Sequence, residues 1–142
     1  MKKILVALDL ESETDALLEH ASALAKAFNG ELILVNVEPN LPGSEGETKV
    51  QAEQDIRSEL SEEVHQLHHI SNTLSGKNIA NRALLLEGTP AEQVLSVAKD
   101  LQVDMIVIGS HAHNPIYSTL FGGIARNIIK HAGRPVLLVP LI

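Results

Sequence analysis

The chain has 142 residues and no cysteine; 44% of its residues are hydrophobic but only 2% aromatic, and 11 Lys+Arg against 18 Asp+Glu leave a net charge of −7. That length suits one domain, spanning residues 1–142, that can bury a core without metal or disulfide support. The missing thiols exclude disulfide staples, thiolate metal sites and cysteine nucleophiles. Phe28, Tyr117 and Phe121 are the only aromatics and no cations cluster, so nucleic acid is excluded as an expected partner.

In chain order, Ile4 to Leu8 is an apolar run without polar alternation, as a strand buried on both faces reads, and it stops at Asp9. Lys2-Lys3 before it starts like an export signal, but the run is too short for the apolar region and lacks a cleavage site. No stretch reaches the length of a bilayer span, so a cytoplasmic protein without a membrane partner is expected. Ala16, Leu17, Ala21, Leu24, Ala25 and Phe28 recur at helical spacing and end at the stop signal Asn29-Gly30. Ser12 to Asp15 supplies a cap for that helix, which leaves Asp9 available for another role. Leu32 to Val37 is a second buried strand, followed by a polar Pro39 to Gly46 loop.

Glu47 to Ser75 reads as a long polar helix with Ile56, Leu60, Val64, Leu67, Ile70 and Leu74 as its stripe. His65, His68 and His69 fall at metal-like spacing on it, yet Glu62, Glu63 and the polar surroundings favour a solvated face. Ile79 to Leu86, interrupted by Asn81 and Arg82, predicts an edge strand. Thr89-Pro90-Ala91-Glu92 opens a helix, with Thr89 as cap, Pro90 at the first position and Glu92 reaching back. Met105 to Ile108 and Val136 to Val139 are two further buried strands. The last helix is expected to begin at Gly122-Gly123 and to stop at Gly133.

Strands alternating with helices imply an α/β fold: a single open, doubly wound, five-stranded parallel sheet with helices on both faces. Ligands of such sheets sit beyond the carboxyl ends of the strands, where the winding reverses. Asp9, Val37, Glu87 and Gly109 all lie at or near such ends.

Five separated segments resemble the universal stress protein family in order and spacing. They are Ile4 to Asp9, Glu87 to Glu92, Asp104 to His113, Leu120 to Ala125 and Arg134 to Pro140. The resemblance implies strand order 3-2-1-4-5 and a stress-response module holding an adenine nucleotide, ATP or AMP with Mg²⁺, between strands 1 and 4. By the same resemblance Asp9 would meet the ribose or Mg²⁺ and Val37 the adenine. Gly109, Ala112, Gly122 and Gly123 would line the phosphates, with Ser110, His111 and His113 beside them. The family motif is Gly, two residues, Gly, nine residues, Gly and a hydroxyl residue. This chain keeps the spacing but has Ala112 for the second glycine and Gly123 for the hydroxyl residue.

Alanine at a phosphate loop adds a methyl group and costs about 1 kcal/mol or more if positive φ is required. Gly123 loses a hydroxyl but keeps an amide, and amides at a helix start bind anions. The expected site is thus weakened rather than abolished. The alternative is a member that has lost nucleotide binding and acts as a dimeric interaction protein.

His111-Ala112-His113 lacks an evident third metal ligand, although Asp9 lies across the switch point. Arg126 suits either a phosphate or an acidic neighbour. No acid–base pair or triad spacing emerges, so the chain is expected not to be an enzyme beyond slow incidental ATP hydrolysis. Val136 to Val139 would leave an apolar edge, which a homodimer would cover.

Overall fold

The computed structural model describes the backbone of residues 2–10, 14–38, 49–110 and 115–141, and the side chains of those segments except 49–61 and 115–122. The five strands are β1 (Lys3–Leu8), β2 (Glu31–Glu38), β3 (Asn81–Glu87), β4 (Met105–Ser110) and β5 (Val136–Pro140). They form one parallel sheet in the order β3-β2-β1-β4-β5. Between them run α1 (Asp15–Phe28), α2 (Lys49–Gly76), α3 (Pro90–Asp100) and α4 (Pro115–His131). Both the expected order and the edge position of β3 are observed.

The unbroken apolar runs are explained by two cores, one on each face of the sheet. Ile4, Val6, Leu32, Leu34 and Val107 point to Leu17, Ala21 and Ala25 of α1 and Leu67 and Leu74 of α2. Leu5, Ile33, Val35, Ile106 and Ile108 point the other way, to Ala91, Val94 and Ala98 of α3 and Ile128 and Ala132 of α4. Alternate residues of one strand thus enter opposite cores, so the central strands are apolar on both faces almost throughout.

Polar interruptions mark attachment points. Asn81 opens β3, where its Oδ1 accepts from Ser71 Oγ at 2.5 Å and its Nδ2 donates to Ile79 O at 3.0 Å and Ser75 Oγ at 3.1 Å. The last turns of α2 are thereby fixed to the sheet edge. Arg82 reaches across to Glu31 at 3.0 Å, an ion pair exposed enough to add little stability.

The helix starts and stops differ in part from expectation. Thr89 is the extended residue before Pro90, but its side chain makes no capping hydrogen bond. Thr14 precedes α1, also without a side-chain cap, and Asn29 rather than Gly30 adopts the left-handed turn that ends it, at φ 53°. Val64 is 41% exposed and leaves the buried stripe of α2. The last helix begins at Pro115, not at Gly122; proline at a first helical position needs no N–H and starts a helix well.

At the amino end of the sheet, the Asp104 carboxylate accepts from the Lys3 and Lys2 amides at 2.9 and 2.8 Å. These two bonds, the Lys3 one first, hold its pKa below the ordinary aspartate value. A depressed folded pKa gives stability that is present above the unfolded value and lost as pH falls through the folded one. The difference in urea midpoint between the wild type and Asp104→Asn should therefore stay constant above about pH 5 and shrink progressively as pH falls through and below the ordinary aspartate value of about 3.9. A difference that persists undiminished into that acid range would contradict this role.

Candidate functional site

The strand ends bring three of the expected residues into one row across the sheet. Leu8 pairs with Asn36, so Asp9 follows beside Val37; β1 and β4 pair only from Ile4 and Met105 to Val6 and Val107, so Ser110, at the end of β4, stands across the opening beyond that pairing. All three are half-buried. The row crosses β2, β1 and β4 at their carboxyl ends, at the reversal of winding where an open α/β sheet leaves its crevice. Val37 packs against the core on the α3/α4 face. A carboxylate and an aliphatic wall therefore stand side by side, with a hydroxyl at the end of the next strand, a set that suits a sugar hydroxyl and a flat apolar base better than it suits bond cleavage.

Gly109 has a reason of its own. A Cβ built there would stand 2.5 Å from Leu141 Cδ1 and 3.0 Å from its Cγ. Leu141 is buried in the core on the α1/α2 face, and its amide donates to Ser110 O at 2.7 Å. The residue after β5 thus folds back onto the end of β4, and glycine is needed to admit it. The apolar character of Leu141 is the one signal of this in the sequence, and its place after Pro140, at what reads as a strand terminus, conceals it.

Gly122 and Gly123 lie two turns inside α4 rather than at its start. Helix-interior amides bond the carbonyls four residues back, so the free donors expected at these positions are not at a helix N-terminus. Gly123 is exposed, and a Cβ placed on it would meet no atom within 4 Å. The pair Asn114-Pro115 is the sequence signal for the earlier start. His111, Ala112 and His113 lie outside the described residues.

One buried polar group is invisible to the sequence reading. Asn36, within the apolar run of β2, is only 4% exposed, and its Nδ2 has no hydrogen-bond partner. It sits between Leu8 and Leu85 in the row beneath Asp9 and Val37.

Among the described residues no group of three or more His, Cys, Asp or Glu is placed to hold a metal, and His65, His68 and His69 are exposed on α2, as a solvated face requires. Mg²⁺ commonly takes one or two carboxylates with substrate phosphates. Asp9 fits that partial role, but not a site made by protein alone. No helix among the described residues is long and apolar enough to cross a membrane.

The model of the universal stress protein family matches residues 1–140. The universal stress protein MJ0577 of Methanocaldococcus jannaschii is 28% identical over 152 residues, covering 97% of this chain and 94% of that one. The solved structure of MJ0577 superposes with a TM-score of 0.78, at 31% identity over 99% of this chain and 96% of the other. Two more distant structures share the fold. One is an Archaeoglobus fulgidus universal stress protein in complex with dAMP, with TM-score 0.69 and 21% identity over 98% of each chain. The other is an Arabidopsis thaliana family protein with AMP bound, with TM-score 0.72 and 17% identity over 100% of this chain and 93% of the other.

Proposed function

Because the chain belongs to the universal stress protein family, we propose that it is a single-domain, cytoplasmic regulatory module that holds an adenine nucleotide, ATP or AMP, in the crevice between β1 and β4. The observation that carries this reading is the row of Asp9, Val37 and Ser110 at the switch point. AMP and dAMP in family members of the same fold support the choice of adenine. Asp9 accepts from the ribose or shares Mg²⁺ brought by the nucleotide, and Val37 lies against the base. Gly109, Ser110, His111, Ala112, His113, Gly122 and Gly123 stand nearest the phosphates. The set offers no acid–base pair or triad spacing, so on this reading the protein binds rather than turns over, and occupancy biases its contacts with partners.

Those contacts include a second copy through β5. That strand is a sheet edge and Leu138 on it is 43% exposed; pairing two such edges about a two-fold axis shields both. Light scattering should then give twice the chain mass at micromolar concentration, and a stable monomer would remove this part of the reading.

Thermal unfolding with nucleotide tests the central claim. AMP or ATP at one hundred times its dissociation constant stabilises by about 2.7 kcal/mol, a rise of roughly 8 °C for a domain this size. No shift at millimolar nucleotide would leave the second reading, a dimeric interaction protein without ligand. The interior position of Gly122 and Gly123 in α4 favours that alternative, since the first turns would have to unwind before their amides met a phosphate.

A further inference from the structure

α1 and α2 cover the same face of the sheet, yet between them runs an open groove of about 980 Å³. Its apolar lining comes from Leu10 and Leu18 on one side and Ile70 and Leu74 on the other. These are not stray surface residues: Leu74 belongs to the core, and the other three pack against it. The groove therefore continues the core outward, at the place where a third helix would complete the layer.

Its two ends carry opposite charge. Asp15 and Glu19 border it at the amino end of α1, while Lys26 and Lys77 border it at the other end. Asp15 and Lys26 are eleven residues apart on one helix, about 16 Å or three turns. Both helices follow parallel strands and return against them, so they run parallel and their carboxyl ends, with partial negative charge, lie together, while the longer α2 continues past the amino end of α1.

We infer that this groove docks an amphipathic helix of another protein, about three turns long, lying antiparallel to α1 and α2. The direction follows from electrostatics. A helix laid antiparallel sets its own positive amino end against the negative carboxyl ends of α1 and α2. Acidic residues favour the first turn of a helix and basic residues its last. In that direction the guest's acidic first turn meets Lys26 and Lys77, and its basic last turn meets Asp15 and Glu19. The reverse direction sets like charges together at both ends. Leucine-sized residues at helical spacing on the guest would enter the apolar strip, as in other helix-in-groove complexes. Exposed His65 and His69 border the same groove, which gives two histidines on the solvated face of α2 a contact to make.

Two fluorescein-labelled 14-residue peptides test the inference by anisotropy. Both carry leucine at positions 4, 7, 8 and 11; one has two Glu in its first turn and two Lys in its last, and the other has these exchanged. The first should bind the full chain, with the exchanged peptide weaker on the order of fivefold or more, as expected of a few partly exposed charge pairs. On Lys26→Glu/Lys77→Glu, which alters only exposed side chains, that preference should narrow or reverse while the melting curve stays cooperative. Failure of both peptides to bind below about 1 mM, equal affinities, or a preference unmoved by the double substitution would each overturn the proposal. So would loss of self-association in that variant by light scattering, which would assign the groove to a second copy. None of these readouts depends on nucleotide.

Discussion

Replacing Arg134 by methionine should lower stability by about 3–4 kcal/mol. The Arg134 guanidinium ties three elements together. Its Nε donates to Ala132 O at 2.9 Å, and its Nη1 donates to Ala98 O at 2.7 Å and Val103 O at 2.8 Å. These carbonyls end α4, lie in the last turns of α3 and precede β4, and all three residues are buried. Hydrogen bonds from a charged donor contribute roughly 1.5–3 kcal/mol each, and carbonyls left without a partner bear a desolvation cost. The three are not additive, since one side chain makes them all. Methionine keeps most of the stem, so the loss reports the hydrogen bonds rather than packing. Lysine offers a point charge in place of a fork and should recover about half. Urea unfolding at unchanged m-value is the measurement, and a loss under about 1 kcal/mol for the methionine variant would show that the clamp is replaced by water. Arg134 precedes β5 at the amino end of the sheet, so nucleotide and peptide binding should be untouched in the folded variant.

The sheet is legible in the sequence because burial on both faces leaves no alternation to misread. Ile4 to Leu8 and Leu32 to Val37 could hardly be anything but central strands, and Asn81 with Arg82 marks the edge. Elsewhere the one-dimensional pattern runs out for identifiable reasons. Val64 belongs to a helical stripe by spacing, but it sits roughly 70° around the helix from the line through Leu67 and Leu74, at three residues' remove. That angle puts it at the margin of the buried face, where the neighbour across the way decides, and there solvent wins. The start of α4 is hidden because Gly122-Gly123 resembles a family phosphate motif, and that resemblance outweighs the plainer signal of Asn114-Pro115. Asn36 cannot be seen at all: a single amide in a run of Leu, Ile and Val looks like an interruption too small to matter, and only its burial without a partner for Nδ2 makes it unusual. The row of Asp9, Val37 and Ser110 emerges by the opposite route. Each is merely a residue at a strand end: the β1–β2 register makes Asp9 and Val37 neighbours, and the sheet order sets Ser110 at the end of the strand on the other side.

The second large effect lies where the site and the core meet, and it separates two reasons for one glycine. Leu141→Ala should cost about 3 kcal/mol, the usual loss for a buried leucine that leaves a cavity. Gly109→Ala should cost about 1–3 kcal/mol, because its new Cβ would press on Leu141 at 2.5 Å. Backbone strain adds nothing there: among the described glycines only Gly88 and Gly133 have positive φ. If the overlap is the cause, the double variant must lose less than the sum of the two singles, since the methyl group added at residue 109 then enters space that Leu141 has left. A coupling of about 1–2 kcal/mol is expected from denaturant midpoints, and strict additivity would refute the packing explanation. The same proteins answer the functional question. The side chain added at residue 109 points to the α1/α2 face, toward Leu141, whereas Val37 packs on the α3/α4 face. A nucleotide lying along the row of Asp9, Val37 and Ser110 would meet the backbone of Gly109 and not the new methyl. AMP affinity of Gly109→Ala/Leu141→Ala should then stay within about threefold of Leu141→Ala, under about 0.7 kcal/mol. A tenfold loss confined to the variants with alanine at 109 would place the ligand on the other side of β4, with the tail of the chain and the nucleotide competing for one space.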